Sequence, residues 1–220
     1  MNLNTNGLYW LSPLALAVTL AACGGNGGSS FVPGNNNGGN QDSPLLVMHN
    51  GGGSVGQIDQ LDSGLQVQST FNADANEGIV LDLLGNVHAA DDTAVPSSVQ
   101  TLHKLLDRQD GASPVATLDR SHTATGSANL KGVAIAHQAG LIMAANVNGN
   151  TIEVYGTTAG QGATPLASTA LAGNAWDLAY DEAADRVFLA MTDGTVLVAD
   201  DYVANGFSVG GARVITPDSA

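Results

Sequence analysis

An all-β domain of repeated four-stranded units is the fold that this sequence predicts. Three observations predict it. The 220 residues are poor in charge and rich in glycine, with 12% charged residues and 28 glycines. A helical bundle would need more Glu, Lys and Arg for its exposed faces. From residue 44 onward the apolar runs are short, about four to eight residues, and are separated by Gly, Asn or Asp. No stretch of roughly twelve or more keeps a 3.6-residue apolar period, and Thr101-Leu102-His103-Lys104-Leu105-Leu106 is the strongest helix candidate. The third observation is that the runs repeat.

The clearest copy begins with Gly132-Val133-Ala134-Ile135-Ala136, turns at Gly140, and continues through Leu141-Ile142-Met143-Ala144-Ala145-Asn146. Thr151-Ile152-Glu153-Val154-Tyr155 and Pro165-Leu166-Ala167-Ser168-Thr169 complete it. The next copy runs from Trp176-Asp177-Leu178-Ala179-Tyr180-Asp181 through Arg186-Val187-Phe188-Leu189-Ala190-Met191 and Thr195-Val196-Leu197-Val198-Ala199-Asp200 to Ala212-Arg213-Val214-Ile215. An earlier copy starts at Gly78-Ile79-Val80-Leu81-Asp82 and places its fourth strand at Pro114-Val115-Ala116-Thr117-Leu118. The earliest, from Leu45, lacks a visible first strand. Val47, Val87, Ile142 and Val187 mark the second strands, 40, 55 and 45 residues apart. A period in the forties with four strands per unit is the signature of β-propeller blades, here about 45–71, 77–119, 130–172 and 175–216. The longest interval contains an insertion over residues 107–128, read as a loop between blades. A competing register matches Gly85-x-Val87 with Gly194-x-Val196 without a gap, which would pair a second strand with a third. The spacing favours the first register.

Ahead of residues 44–220 lie two segments of different character. Residues 8–20, LYWLSPLALAVTL, are mainly apolar and too short to span a bilayer, which takes roughly 20 residues. They have the length of a secretory h-region and lead into Leu20-Ala21-Ala22-Cys23. Residues 23–43 are rich in Gly, Asn and Ser and read as a disordered, flexible tether. Residues 1–7 carry no Lys or Arg, unlike the usual n-region.

Leu20-Ala21-Ala22-Cys23 resembles the lipobox of bacterial lipoproteins. The resemblance implies that residues 1–22 are a signal peptide cut between Ala22 and Cys23, and that Cys23 carries lipid. Several acyl chains, at about 0.8 kcal/mol per buried CH₂, anchor a protein durably. By the same resemblance Gly24 leaves export to the outer membrane open, so the expected place is the cell envelope, facing periplasm or surface. Cys23 is the chain's one cysteine, so the domain beyond it has no disulfide.

Gly78-Ile79-Val80-Leu81-Asp82 followed by Gly85-Asn86-Val87-His88-Ala89-Ala90-Asp91 resembles the NHL repeat. Leu46-Val47-Met48-His49-Asn50 with Ser54-Val55 and Ile58-Asp59 resembles the YncE-like propellers of bacterial envelopes. Propellers of these families close with about six or seven blades, against about four here with the first incomplete. That comparison implies the N-terminal fragment of a larger propeller lipoprotein, the alternative being an unusually small propeller. An unclosed arc would leave a blade face and an edge exposed.

Charge narrows the partners. Twenty acidic and six basic residues give a net charge of −14, which repels phosphate backbones and argues against nucleic acid and against adsorption to anionic lipid. The membrane is then met through the lipid anchor alone. Motifs for chemistry are sparse: there is no G-x-S-x-G, H-E-x-x-H or G-x-x-x-x-G-K-[ST]. His49, His88, His103, His122 and His137 show no metal-ligand spacing, and His88 shares the slot of the packing residues Met48, Met143 and Phe188. Asp91, Asp92, Asp200 and Asp201 are the weak candidates for a metal, calcium being the cation that carboxylates and carbonyls suit, although no D-x-D-x-D-G loop is present. Turn carboxylates that bond nearby backbone N–H groups are the simpler reading of these, and of Asp181, Glu182 and Asp185. Trp176 is expected to pack between units.

No catalytic residue and no cofactor is therefore assigned. The expected function is a non-enzymatic binding or scaffold module for an unknown protein or small-molecule ligand. The alternative is a hydrolase of lactonase or gluconolactonase type with a channel metal.

Overall fold

Among the described residues, short apolar runs broken by Gly and Asp form sixteen strands, and there is no helix. The computed structural model describes residues 29–31, 45–50, 56–73, 75–92, 98–102, 118–123, 129–160 and 162–218. The signal segment, Cys23 and most of the expected tether lie outside the described residues. Four consecutive strands make each sheet, always in sequence order and always antiparallel. The first sheet holds β1 (Ser29–Phe31), β2 (Leu45–Asn50), β3 (Gly56–Leu61) and β4 (Val67–Ala73). The second holds β5 (Ile79–Leu81), β6 (Val87–Asp91), β7 (Ser98–Leu102) and β8 (Leu118–Thr123). The third holds β9 (Leu130–Ala136), β10 (Leu141–Asn146), β11 (Thr151–Gly156) and β12 (Ala167–Ala170). The fourth holds β13 (Ala175–Asp181), β14 (Arg186–Met191), β15 (Val196–Ala199) and β16 (Arg213–Ile215).

Acidic and amide side chains close several of the hairpins. The Asp82 carboxylate accepts from the backbone N–H of Leu84 and Asn86, each at 2.8 Å. Asp62 accepts from Gly64 and Gln66, Asp193 from Thr195, and Asn146 from Gly149. Each side chain supplies the bond that a tight turn would otherwise leave to water. Gly85 and Gly194 follow with φ of +84° and +86°, a region that costs other residues about 1–2 kcal/mol.

The sheets stack through alternate residues of each strand. Leu46, Met48, Ile58 and Phe71 of the first sheet meet Ile79, Val87 and Ala89 of the second. Val80, Ala90 and Val99, on the other face of the second, meet Ile142, Ala144 and Tyr155 of the third. Met143, Ile152 and Val154 then meet Leu178, Val187 and Leu189 of the fourth. Because side chains alternate between faces, the interior strands of the second and third sheets each contribute to two of these layers. The first strands lie side by side, β1 on β5, β5 on β9 and β9 on β13, and no contact of that extent joins β13 to β1 among the described residues. No sheet closes on itself.

Three expectations are corrected. The earliest copy does have a first strand: Ser29–Phe31 pairs with β2, inside the segment read as tether. Three residues between glycine-rich flanks carry too little apolar pattern to be seen in sequence. The fourth strand of the second sheet is Leu118–Thr123, within the insertion read as a loop, and not Pro114 to Leu118. Thr101 and Leu102 belong to a strand, and the rest of the helix candidate lies outside the described residues. Of the two registers, the spacing-based one agrees with the pairing, since Val87 sits in a second strand and Val196 in a third.

Neighbouring first strands touch at glycine. A Cβ on Gly132 would lie 1.8 Å from Asp177 Oδ1 and 2.6 Å from its Cα, whereas a Cβ on Gly85 would meet nothing. Gly132→Ala is expected to destabilise the protein by about 3 kcal/mol through overpacking. Gly85→Ala should cost about 1 kcal/mol through backbone strain alone. Urea denaturation of both variants checks the order; equal losses would contradict the close approach of β9 and β13.

Candidate functional site

Among the described residues, β5, β9 and β13 line a cleft that could take a ligand. It has a volume of about 120 Å³ and is lined by Val80, Val133, Ile135, His137, Leu178 and Tyr180, with Glu182 at its edge. The apolar part of its wall, Val80, Val133, Ile135 and Leu178, comes from the first strands, and the wall as a whole is mixed polar and apolar. Its polar groups come from the turns that follow. Nδ1 of His137 is buried there without a hydrogen-bond partner. Glu182 Oε1 accepts the backbone N–H of Gln138 at 2.5 Å, which ties the turn after β13 to the turn after β9. The Tyr180 hydroxyl donates to Asp185 at 2.8 Å. Burial, and then the Asp185 carboxylate, push that phenol well above its ordinary range. No Lys or Arg lines the cleft. The arrangement can take a small ligand that has both an apolar part and a hydrogen-bond donor or positive group.

A second polar cluster joins three sheets. Lys131 at the start of β9 reaches Glu77 Oε1 at 2.7 Å and Asp92 Oδ2 at 2.5 Å, and its ammonium stands 5.0 Å from the centre of the Trp176 ring. Asn76 fixes Asp92 from the other side, its Nδ2 donating to Oδ1 at 2.6 Å. Burial raises Glu77 above the usual carboxylate range despite the lysine. For Asp92 burial works the same way, but Lys131 and Asn76 outweigh it and hold the carboxyl below its ordinary value. Burial disfavours the charge on Lys131 as well, and the two carboxylates overcome it, so its pKa rises. Trp176 thus meets a neighbouring unit, but through the lysine and not within a buried apolar layer. It is 51% exposed and lies against the lysine of the preceding sheet.

The residues singled out in the sequence do not converge. Asp91 is buried in β6, and Asp92 belongs to the lysine cluster. Asp200, in the fourth sheet, pairs with Arg186 and lies 3.7 Å from Arg213. Asp201 has a positive φ of 53° in the turn that follows. Among the described residues no group of three or more His, Cys, Asp or Glu is placed to hold a metal. His49 meets Asp59 at 3.0 Å, and buried His88 meets Asp82 at 3.3 Å. The side chain of His122 and all of His103 lie outside the described residues, as do Ala22 and Cys23. Asp185 is a turn residue with φ of 47°. Burial works against its charge, but the backbone N–H groups of Ala204 and Val203 and the Tyr180 hydroxyl hold it below its ordinary range. Lys131 went unnoticed in the sequence. Its signal was a lone basic residue opening a first strand, next to the close-approach Gly132.

No protein-family model matches the sequence, and no curated protein matches it either.

Two outcomes test this chemistry. Lys131→Met leaves Glu77 and Asp92 facing each other without a cation, so a loss of about 3 kcal/mol is expected, together with a change in Trp176 emission. Unchanged stability with unchanged emission would sink the cluster. Asp82 supplies the pH dependence. Burial opposes its charge, but the bonds from His88 and Asn86 prevail and bring its carboxyl from 3.8 down to about 2. A depressed folded-state value stabilises above 3.8 and is lost as pH falls toward about 2. Asp82→Ala should therefore cost about 2 kcal/mol at neutral pH, with the deficit shrinking across that acid window in urea titrations.

Proposed function

We propose that this chain is a lipid-anchored protein of the cell envelope whose four sheets are propeller blades, acting as a non-enzymatic binding or scaffold module. The observation that carries the reading is the row of first strands. In a propeller these strands line the axis, and here β5, β9 and β13 line the cleft that holds His137 and Glu182. Leu20-Ala21-Ala22-Cys23 supports the anchor, with the diacylglycerol on Cys23 as the contact with the membrane and Gly24 compatible with the outer membrane. The charge of −14 keeps nucleic acid from the list of partners. The ligand is a small molecule or a protein segment that places an apolar group in the cleft and a donor toward the Glu182 carboxylate. No resident metal is part of this reading.

Labelling with radioactive palmitate tests the anchor. The wild-type chain should take up label and sediment with membranes, and Cys23→Ser should lose both properties. Label retained in Cys23→Ser, or absent from the wild type, would remove the lipid from the proposal. Elemental analysis of the purified protein tests the module. Calcium or zinc at one per chain would replace it with the hydrolase of lactonase type.

A further inference from the structure

The pairing of Ser29–Phe31 with β2 leaves little chain between Cys23 and the folded sheets. Five residues, 24–28, separate Cys23 from Ser29, and an extended chain covers those six steps in at most about 20 Å. The first strands all start from one end of the stack. The N–H of Gly78, just ahead of β5, donates to the carbonyl of Lys131 near the start of β9, and a Cβ on Gly132 of β9 would strike Asp177 of β13. β1 and β3 run alike, since both are antiparallel to β2, and a Cβ on Gly56, which opens β3, would strike Ala75 and Asn76 just ahead of β5. The cleft lies at the opposite end, where His137 follows β9 and Glu182 follows β13. Ser29 stands level with Asp59, three residues above Gly56, a height of about 10 Å. A chain continued straight back from β1 therefore clears the starting end with about 10 Å to spare. To reach the cleft end it would spend about four residues on a reversal, with too few left to pass Leu61 and the turn over residues 62–66.

On the reading of Cys23 as lipid-bearing, we propose that the end at which the first strands start is turned to the lipid bilayer, and that the cleft opens away from it. Acyl chains seated in the bilayer keep Cys23 at the headgroups, so Ser29 lies within about 20 Å of them. Trp176 belongs to this end as the second residue of β13, and it is 51% exposed. Its ring combines an apolar body with an N–H donor, a combination that the membrane interface accommodates. Glu77 and Asp92 at the same end share the Lys131 ammonium. Exposed Asp193 and Asp218 stand there too, so the attraction comes from the acyl chains and not from charge. Turned this way, the cleft with His137 and Glu182 faces the aqueous side, where a ligand reaches it.

Tryptophan emission tests the orientation. Cleavage ahead of Cys23 removes Trp10, so Trp176 is the one tryptophan of the mature chain. The lipid-bearing protein is bound to phosphatidylcholine vesicles that carry a nitroxide on a fraction of their headgroups, and flotation is measured alongside emission. The wild type should float with the vesicles and lose Trp176 emission to the nitroxide. Trp176→Phe combined with Leu84→Trp moves the tryptophan to an exposed position in the turn after β5, at the cleft end, and should float with its emission intact. Wild-type protein that floats without quenching, or a Leu84→Trp chain that is quenched as strongly as the wild type, overturns the orientation and leaves the anchor standing. Wild-type protein that does not float, or a Cys23→Ser variant that floats as well as the wild type, overturns the anchor and the orientation with it.

Discussion

Contact between the backbones of neighbouring first strands is the constraint from which the rest of the structure follows. At Gly78 a Cβ would fall 2.7 Å from the nitrogen of Val133, and at Gly132 it would strike Asp177. The Gly78 N–H also donates to the Lys131 carbonyl at 3.0 Å, so the sheets are joined by a backbone bond as well as by packing. Strands this close fix the height at which each sheet meets the next. Once that height is set, the alternation of side chains decides which residues interlock. Met48, Ala90, Met143 and their neighbours then fall into layers without further adjustment.

The same constraint shaped what was legible in the sequence. The strand order and the second-strand markers were readable because the interior strands of the second and third sheets are buried on both faces and stay apolar along their length, as in Leu141-Ile142-Met143-Ala144-Ala145, while those of the first and fourth keep one buried face. Outer strands were harder. Leu118–Thr123 reads Leu-Asp-Arg-Ser-His-Thr, a sequence with almost no apolar signal, and its place is given by pairing with β7. Ser29–Phe31 is shorter still, and its role depends on Leu45, Leu46 and Val47, which follow it at a distance no local window spans. The cleft was invisible for a related reason. His137 and Glu182 come from two copies about 45 residues apart, and each looks like an ordinary turn residue in its own copy.

Acidic residues dominate the charge, and several of those described act on the backbone. Asp62, Asp82, Asp181, Asp185 and Asp193 all accept backbone N–H groups in turns. The pairs that look like metal sites in sequence fare differently: Asp92 bonds Lys131 and Asp200 pairs with Arg186. Lys131 stands apart, its charge shared by two carboxylates of one sheet and the aromatic ring of another. A cation in that place ties the second, third and fourth sheets with one side chain, and an apolar residue of the same length would leave two buried acids opposed.

The bonds among His49, Asp59 and Thr70 on the outer face of the first sheet have a consequence for synthesis. A chain made from its N-terminus delivers the first sheet before the others. With His49, Asp59 and Thr70 satisfied among themselves, that sheet can rest one face against water at once. Only its other face, with Met48 and Phe71, awaits a partner, and the second sheet supplies it as it emerges. Each arriving sheet covers one apolar surface and presents one new one. At every stage of emergence the nascent protein therefore shows one newly apolar sheet face at its growing end, which limits the surface a chaperone must shield.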